Sequence, residues 1–197
     1  MIPSREEAEH ILREAEGLNP GPWSDHSRVA ATCAEKIANL CSGMDPEKAY
    51  VLGLLHDIGR RFGSGHLRHV YDGYKFMLHL GYDEAARICL THSFCVPDIH
   101  VYIGNFDISI DEQKTISDAL QSIRFNDYDC LIQLCDALSM PDGVVDMEIR
   151  MADVERRYGH YPAGKRNCNK ELKAYFERLA GKNIYEIISD NHELWGK

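Results

Sequence analysis

The stretch AYVLGLLHDIG, residues 49–59, decides how the rest of the chain is read. Asp45 and Pro46 stand just ahead of it, and proline suits the first turn of a helix, so a helix is predicted from that point. The stretch is apolar nearly all round, which places it at the centre of a core rather than on a surface. It ends in an adjacent His56 and Asp57. Such a pair is costly in apolar surroundings unless a partner or a cation compensates it. The alternative is a helix that stops at Gly59 with the pair turned to solvent. The stretch alone does not separate these two readings.

Working outward, apolar residues recur at helical spacing almost throughout, and strand-like alternation is scarce. Ser4 followed by Glu7 is a capping-box signature that opens a helix to about Leu18. NPGPW (19–23) is a breaker, after which Ser24 or Asp25 caps a helix with Val29, Ala30, Cys33, Ile37 and Leu40 inside. FGSG (62–65) reads as a loop, 66–80 as a helix, and Asp83 as the start of the helix carrying RICLTH. Phe94 to Ile110 resists assignment, since it holds Pro97 and a short β-friendly run. Asp111 caps a further helix, and YDCLIQLCDALSM (128–140) forms another that ends before Pro141. Beyond 143 the chain is more polar and is interrupted by GHYPAGKRN (159–167). The expectation is an all-α, single-domain helical bundle over 1–197, with its core at about 24–140 and an elaborated C-terminal part at about 143–197.

Composition narrows the function. A chain of 197 residues can bury one good core but would make two unusually small domains. With 44% hydrophobic and 27% charged residues it matches an ordinary globular protein. No apolar run approaches the roughly 20 residues that span a bilayer. The charged, amphipathic N-terminus does not resemble a signal peptide, so a cytoplasmic protein without membrane attachment is expected. The seven cysteines are odd in number and form no CxxC pair, so most are read as small hydrophobes. A net charge of −9 argues against a nucleic-acid polymer as partner, because binding one relies on Lys and Arg. It leaves room for a small phosphorylated ligand, since bound cations add positive charge that a residue count omits. No stripe of residues indicates an oligomeric state.

Ten histidines are many for this length, and their placement carries the chemistry. His26 falls in the first turn of its helix, His69 within 66–80, His92 at the end of RICLTH, and Asp136 late in YDCLIQLCDALSM. Each can be set on the inward side of its helix. Ionisable groups at inward positions on five helices call for one explanation, and N and O ligands gathered around divalent metals supply it.

At this point the chain resembles the HD superfamily of metal-dependent phosphohydrolases. The residues that carry the likeness are DHSRVA with His26, LLHDIGR with His56 and Asp57, and QLCDALS with Asp136, spanning roughly 24–140. HVYDG (69–73) and LTHS (90–93) look like the extra histidines of members holding two metals, such as the HD-GYP phosphodiesterases and the HD enzymes that split diadenosine tetraphosphate. His66 competes with His69, and the H-x-x-x-G spacing to Gly73 favours His69. The chain reads HDIGR where HD-GYP proteins carry HDIGK, and it lacks the GYP motif, so a cyclic dinucleotide is not implied.

The resemblance implies two divalent metal ions bridged by Asp57. His26, His56 and Asp136 would complete one set of ligands, and His69 and His92 the other. A water shared by the two ions would be the nucleophile attacking a phosphoester or phosphoanhydride of a small molecule, most plausibly a nucleotide. Fe or Mn suits this His-and-carboxylate mixture, with Zn, Co, Ni and Mg left open. Arg60 is one helical turn beyond His56 and is assigned to the substrate phosphate. Arg61 is expected in solvent, Arg28 in a structural ion pair, and Lys165 and Arg166 in a solvated loop. Trp23, Tyr71, Tyr74 and Phe94 are read as core or pocket wall, with Tyr71 or Tyr74 able to stack on a base. His10, His79, His100, His160 and His192 are given no role. Two other functions compete: a di-iron oxygenase built on the same ligands, and a non-catalytic metal-binding sensor.

Overall fold

Two helices cross so closely at the centre of the molecule that a methyl group at their contact would collide with backbone. They are α2 (Trp23–Ala38) and α3 (Pro46–Leu55). A Cβ at Gly53 would lie 2.8 Å from the Cα of Ala31, so only glycine permits this approach. Ala30, Ala31 and Ala34 supply the flat surface opposite, all fully buried. The computed structural model describes residues 1–189, which include helices α1 (Arg5–Leu18), α4 (Leu67–His79), α5 (Asp83–Thr91), α6 (Ile110–Ser122), α7 (Asp127–Asp136), α8 (Met147–Tyr158), α9 (Ala163–Ala180) and α10 (Ile184–Ile188). Among the described residues the fold is all-helical apart from a hairpin that pairs β1 (Ser139–Met140) with β2 (Gly143–Val144), Ser139 opposite Val144. Among the described residues no helix is long and apolar enough to cross a membrane.

The main core runs from Ala8 to Ile188 and draws on α1, α2, α3, α4, α5, α7, α8, α9 and α10. A second cluster gathers Leu67, Val70, Leu90, Phe94, Ile99, Ile108, Ile116 and Leu120. That cluster explains the stretch the sequence leaves unassigned. Residues 94–109 hold little regular structure beyond a 3-10 turn at Ile99–Val101, yet Phe94, Ile99 and Ile108 are buried and pin the segment down. The segment also caps α4. Asp107 accepts from the backbone N–H groups of His66 (2.7 Å) and Arg68 (2.8 Å), donors that a helix start otherwise leaves unpaired.

Several boundaries differ from expectation. The second helix begins at Trp23, with Pro22 at its cap position, while the Ser24 hydroxyl donates instead to Glu16 at 2.9 Å. Leu40 lies beyond the end of that helix and is exposed. Helix α6 is capped by Ser109, in a capping box with Glu112, rather than by Asp111. The LLHDIGRRF run is not one helix: α3 ends at Leu55, and residues Ile58–Phe62 tighten into a 3-10 turn that absorbs the first residue of FGSG. Helix α7 stops at Asp136, and Ser139 and Met140 enter the hairpin. The GHYPAGKRN break is short, because the helix resumes at Ala163 just after Pro162.

Candidate metal centre

The short elements at the ends of α3, α5 and α7 set the site. His56 is the residue that closes α3, and Asp57 begins the 3-10 turn that follows. His92 closes α5, and Asp136 is the last residue of α7. His26 sits in the first turn of α2 and His69 in the first turn of α4. Helices α5 and α7 are locked together by the fully buried Asp129. Its carboxylate receives Arg87 Nε at 3.0 Å, Thr91 Oγ1 at 2.7 Å and the Asn126 N–H at 2.7 Å. A buried charge so fully paired fixes register between the two helices that deliver His92 and Asp136.

Two overlapping groups of potential ligand atoms result, His26–His56–Asp57 and Asp57–His69–His92, each with its atoms within 4.8 Å of one another. Asp57 belongs to both. Asp136 joins at the edge, its Oδ1 3.0 Å from His26 Nε2. His66, the competing candidate, contributes its backbone instead: its carbonyl accepts from His69 Nδ1.

All four histidines share one arrangement. Nδ1 of His26 faces the Ser139 carbonyl at 3.2 Å, and that of His56 faces the Gly53 carbonyl at 2.7 Å. Nδ1 of His69 faces the His66 carbonyl, and that of His92 faces the carbonyls of Cys89 (3.0 Å) and Ile88 (3.2 Å). A carbonyl oxygen can only accept, so the ring proton of each neutral imidazole belongs on Nδ1. Every Nε2 then points a bare lone pair inward. Nε2 of His69 lies 3.2 Å from Asp57 Oδ1 and 3.3 Å from His92 Nε2, and that of His92 lies 3.6 Å from the same carboxylate oxygen. Among the described residues His56 Nε2 and Asp57 Oδ1 are buried with no hydrogen-bond partner. Acceptors crowded against acceptors, in a buried place, are what a cation would satisfy and what nothing else present does. The donor set therefore fits divalent metal.

Electrostatics keep the ligands ready. Burial pushes the His56 pKa down to about 4, with His92 and His26 adding repulsion against the pull of Asp57. Burial also lowers His69, and the nearby Arg60 adds to the effect. Burial opposes ionisation of Asp57, but the Arg60 guanidinium outweighs it and holds the carboxyl well below the usual range. Burial opposes ionisation of Asp136 as well, and the Arg150 guanidinium beside it favours the charged form. Neutral imidazoles beside ionised carboxylates are the forms that bind metals.

The centre forms the floor of a cavity of about 440 Å³. Arg60 lines it, but its Nε donates to Asp57 Oδ2 at 2.6 Å, so the side chain supports a candidate ligand as well as facing the space above. Lys165 is not in a solvated loop. It lies in the first turn of α9, lines the cavity and donates to the Ser93 carbonyl at 2.9 Å. Arg166 in the same turn pairs outside with Glu148 at 2.5 Å. Arg150, on α8, also lines the cavity, with Nη2 3.6 Å from Asp136 Oδ1. The sequence singles it out by no motif, and only the packing of α8 brings it there. Trp23 is cavity wall, whereas Tyr71 and Tyr74 flank the second hydrophobic cluster and take no part in the lining. Arg61 does not simply face solvent: its guanidinium lies 4.0 Å over the Phe76 ring. Arg28 makes the expected ion pairs, to Glu16 at 2.8 Å and Asp25 at 3.2 Å. His10, His79, His100 and His160 lie away from the cavity lining, and His192 falls outside the described residues.

No curated protein and no solved structure matches the chain. The family model described as HD domain matches residues 23–140, the span that holds His26, the His56–Asp57 pair, His69, His92 and Asp136. The chain thus belongs to the HD domain family, a superfamily of the metal-dependent phosphohydrolase type.

Proposed function

We propose that this protein is a hydrolase that cleaves a phosphoester or phosphoanhydride bond in a small molecule, with a nucleotide the favoured substrate, at a centre of two divalent cations. His26, His56, Asp57 and Asp136 would hold one cation, and Asp57, His69 and His92 the other. The observation that carries this is that all four histidines turn Nδ1 to a backbone carbonyl, which leaves Nε2 of His69 and His92 facing Asp57 and that of His26 facing Asp136. Imidazole with carboxylate favours Fe or Mn. Bound there, such a pair would supply Lewis acidity and lower the pKa of a shared water towards neutrality.

The chain's own residues do the rest. Arg60 ties down Asp57 Oδ2 and leaves Oδ1 aimed at His69 and His92. The histidine rings are fixed in plane by their backbone acceptors, so little reorganisation is needed as charge develops. The cavity volume falls in the range that encloses small ligands, and Trp23, Met140, Met151 and Tyr161 give it apolar wall against which a base or sugar can rest.

The test is metal analysis of the purified protein, followed by an anaerobic screen for phosphate release from nucleotides with Mn or Fe supplied. Roughly two metals per chain and metal-dependent phosphate release are expected. Oxygen consumption by the iron-loaded protein without phosphate release would replace the hydrolase with a di-iron oxygenase.

A further inference from the structure

The cavity carries more positive charge than metal binding alone calls for. Four basic side chains line it (Arg60, Arg150, Arg157 and Lys165) against three carboxylates, Asp57, Asp136 and Asp153, in a chain whose net charge is −9. Two of those carboxylates are in the candidate metal centre. Asp153 is already shared by Arg150, Arg156 and Arg157, at 3.5 Å, within hydrogen-bond range and 2.9 Å respectively. Lys165 stands apart. Among the described residues no carboxylate lies within ion-pair distance of its ammonium, and its hydrogen bond goes to the neutral Ser93 carbonyl, next in sequence to His92. An ammonium has three protons to donate, so two remain for the cavity. Burial disfavours its charged form, a cost that a bound anion would relieve.

Lys165, Arg150 and Arg157 all lie beyond residue 140, outside the span that matches the family. They are brought over the centre by α8 and α9, which belong to the C-terminal part of this chain. We propose that Lys165, assisted by Arg150, forms an anion subsite beside the metal centre and receives a second anionic group of the substrate, a phosphate or a carboxylate, while the reacting phosphoryl group sits on the metals. The inference rests on the phosphohydrolase reading and narrows it to substrates with at least two anionic groups.

Three phosphonates that cannot be hydrolysed test it by titration calorimetry on the full-length, manganese-loaded protein with manganese in excess: methylphosphonate, methylenediphosphonate and phosphonoacetate. Wild type is expected to bind one or both of the doubly anionic probes about tenfold or more tighter than methylphosphonate, the gain of one charge-assisted hydrogen bond. The probe that gains tells a phosphate occupant from a carboxylate. Lys165→Met should abolish that preference and leave methylphosphonate affinity and metal content within about twofold, while Lys165→Arg should keep most of it. Equal affinity for all three probes, or a preference that survives in a folded, metal-loaded Lys165→Met protein, overturns the subsite and leaves the hydrolase intact. Failure of every probe to bind, together with no phosphate release from any nucleotide, removes both.

Discussion

His69 Nε2 and His92 Nε2 stand 3.3 Å apart, each ring with its proton directed outward to a backbone carbonyl. Two lone pairs at that distance repel, and the fold holds them there by burying both rings from different helices. A cation between them and Asp57 turns that repulsion into coordination. Replacing either histidine with alanine should therefore cut the metal content from about two per chain to about one, with the other cation kept by His26, His56, Asp57 and Asp136. Elemental analysis after dialysis reads this directly. Unchanged metal content in both variants would mean that His69 and His92 are not ligands.

Arg60 and Asp57 form the next test. The 2.6 Å bond from Arg60 Nε to Asp57 Oδ2 comes from a guanidinium fork on a constrained 3-10 turn, and it fixes which carboxylate oxygen faces the histidines. Arg60→Met leaves a buried carboxylate without that partner. Metal affinity or activity should fall by about 10- to 100-fold, the usual effect of losing a group that orients a ligand. Arg60→Lys keeps the charge but loses the planar donor, and should recover only part. An Arg60→Met protein with wild-type metal affinity and turnover would show that Asp57 is held without it.

Much of this centre was legible in the sequence because periodicity sets His26, His69, His92 and Asp136 on inward sides, while the His56–Asp57 pair was read from its likeness to the HD motif. What stayed hidden had physical reasons. The role of Gly59 reads as a helix stop, but the structure gives it a packing role that depends on a helix 10 residues away in sequence. Arg150 and Lys165 lie on polar helices among other basic residues, Arg156, Arg157, Arg166 and Lys170, so nothing local says which of them meets the cavity. The segment from Phe94 to Ser109 has no period because it is held by scattered apolar anchors and by Asp107, not by a repeating face.

Gly59 yields a prediction about stability. A Cβ there would fall 1.9 Å from the His69 carbonyl oxygen and 2.5 Å from the Gly73 amide nitrogen. Both are backbone atoms, so no side chain can swing aside. The contact presses the Asp57 turn against α4 and so sets the Asp57–His69 distance. Gly59→Ala should destabilise by about 1–3 kcal/mol or more, as overpacking does, and should also weaken metal binding. Urea unfolding of the variant at wild-type stability would show that the two segments separate easily.

Acid sensitivity follows from His56. In the unfolded chain its pKa is near 6.5, and in the fold burial lowers it to about 4, amid Asp57, His92, His26 and Asp136. A base that is harder to protonate when folded contributes its full stability above pH 6.5. That contribution shrinks as the pH drops below 6.5 and is gone by about pH 4. The difference is worth about 3 kcal/mol as an order of magnitude. Urea unfolding of chelator-treated protein should therefore show stability declining between pH 6.5 and 4, and His56→Gln should flatten the decline. A wild-type profile that is level across that window would mean that His56 protonates as freely in the fold as outside it.

Cys95 departs from the reading of the cysteines as inert small hydrophobes. It is half-buried and lines the cavity, where a hydrogen bond from Cys168 outweighs burial and, with the Lys165 ammonium, brings its pKa down to about 6. Cys41, Cys89, Cys130, Cys135 and Cys168 are all shifted the other way, Cys130 to about 11. Cys95 is therefore the readiest of these six to ionise, and the thiolate is the nucleophile. One equivalent of iodoacetamide at pH 7 should label Cys95 first, with a rate that rises through pH 6. Cys168→Ser should weaken the hydrogen bond and move that midpoint upward. Peptide mapping by mass spectrometry reads the site, and first labelling at any of the other five would show that the Cys168 contact does not activate Cys95. Because the adduct projects into the cavity beside Lys165, labelled protein should also lose affinity for the doubly anionic phosphonates, whereas Cys95→Ser should keep it.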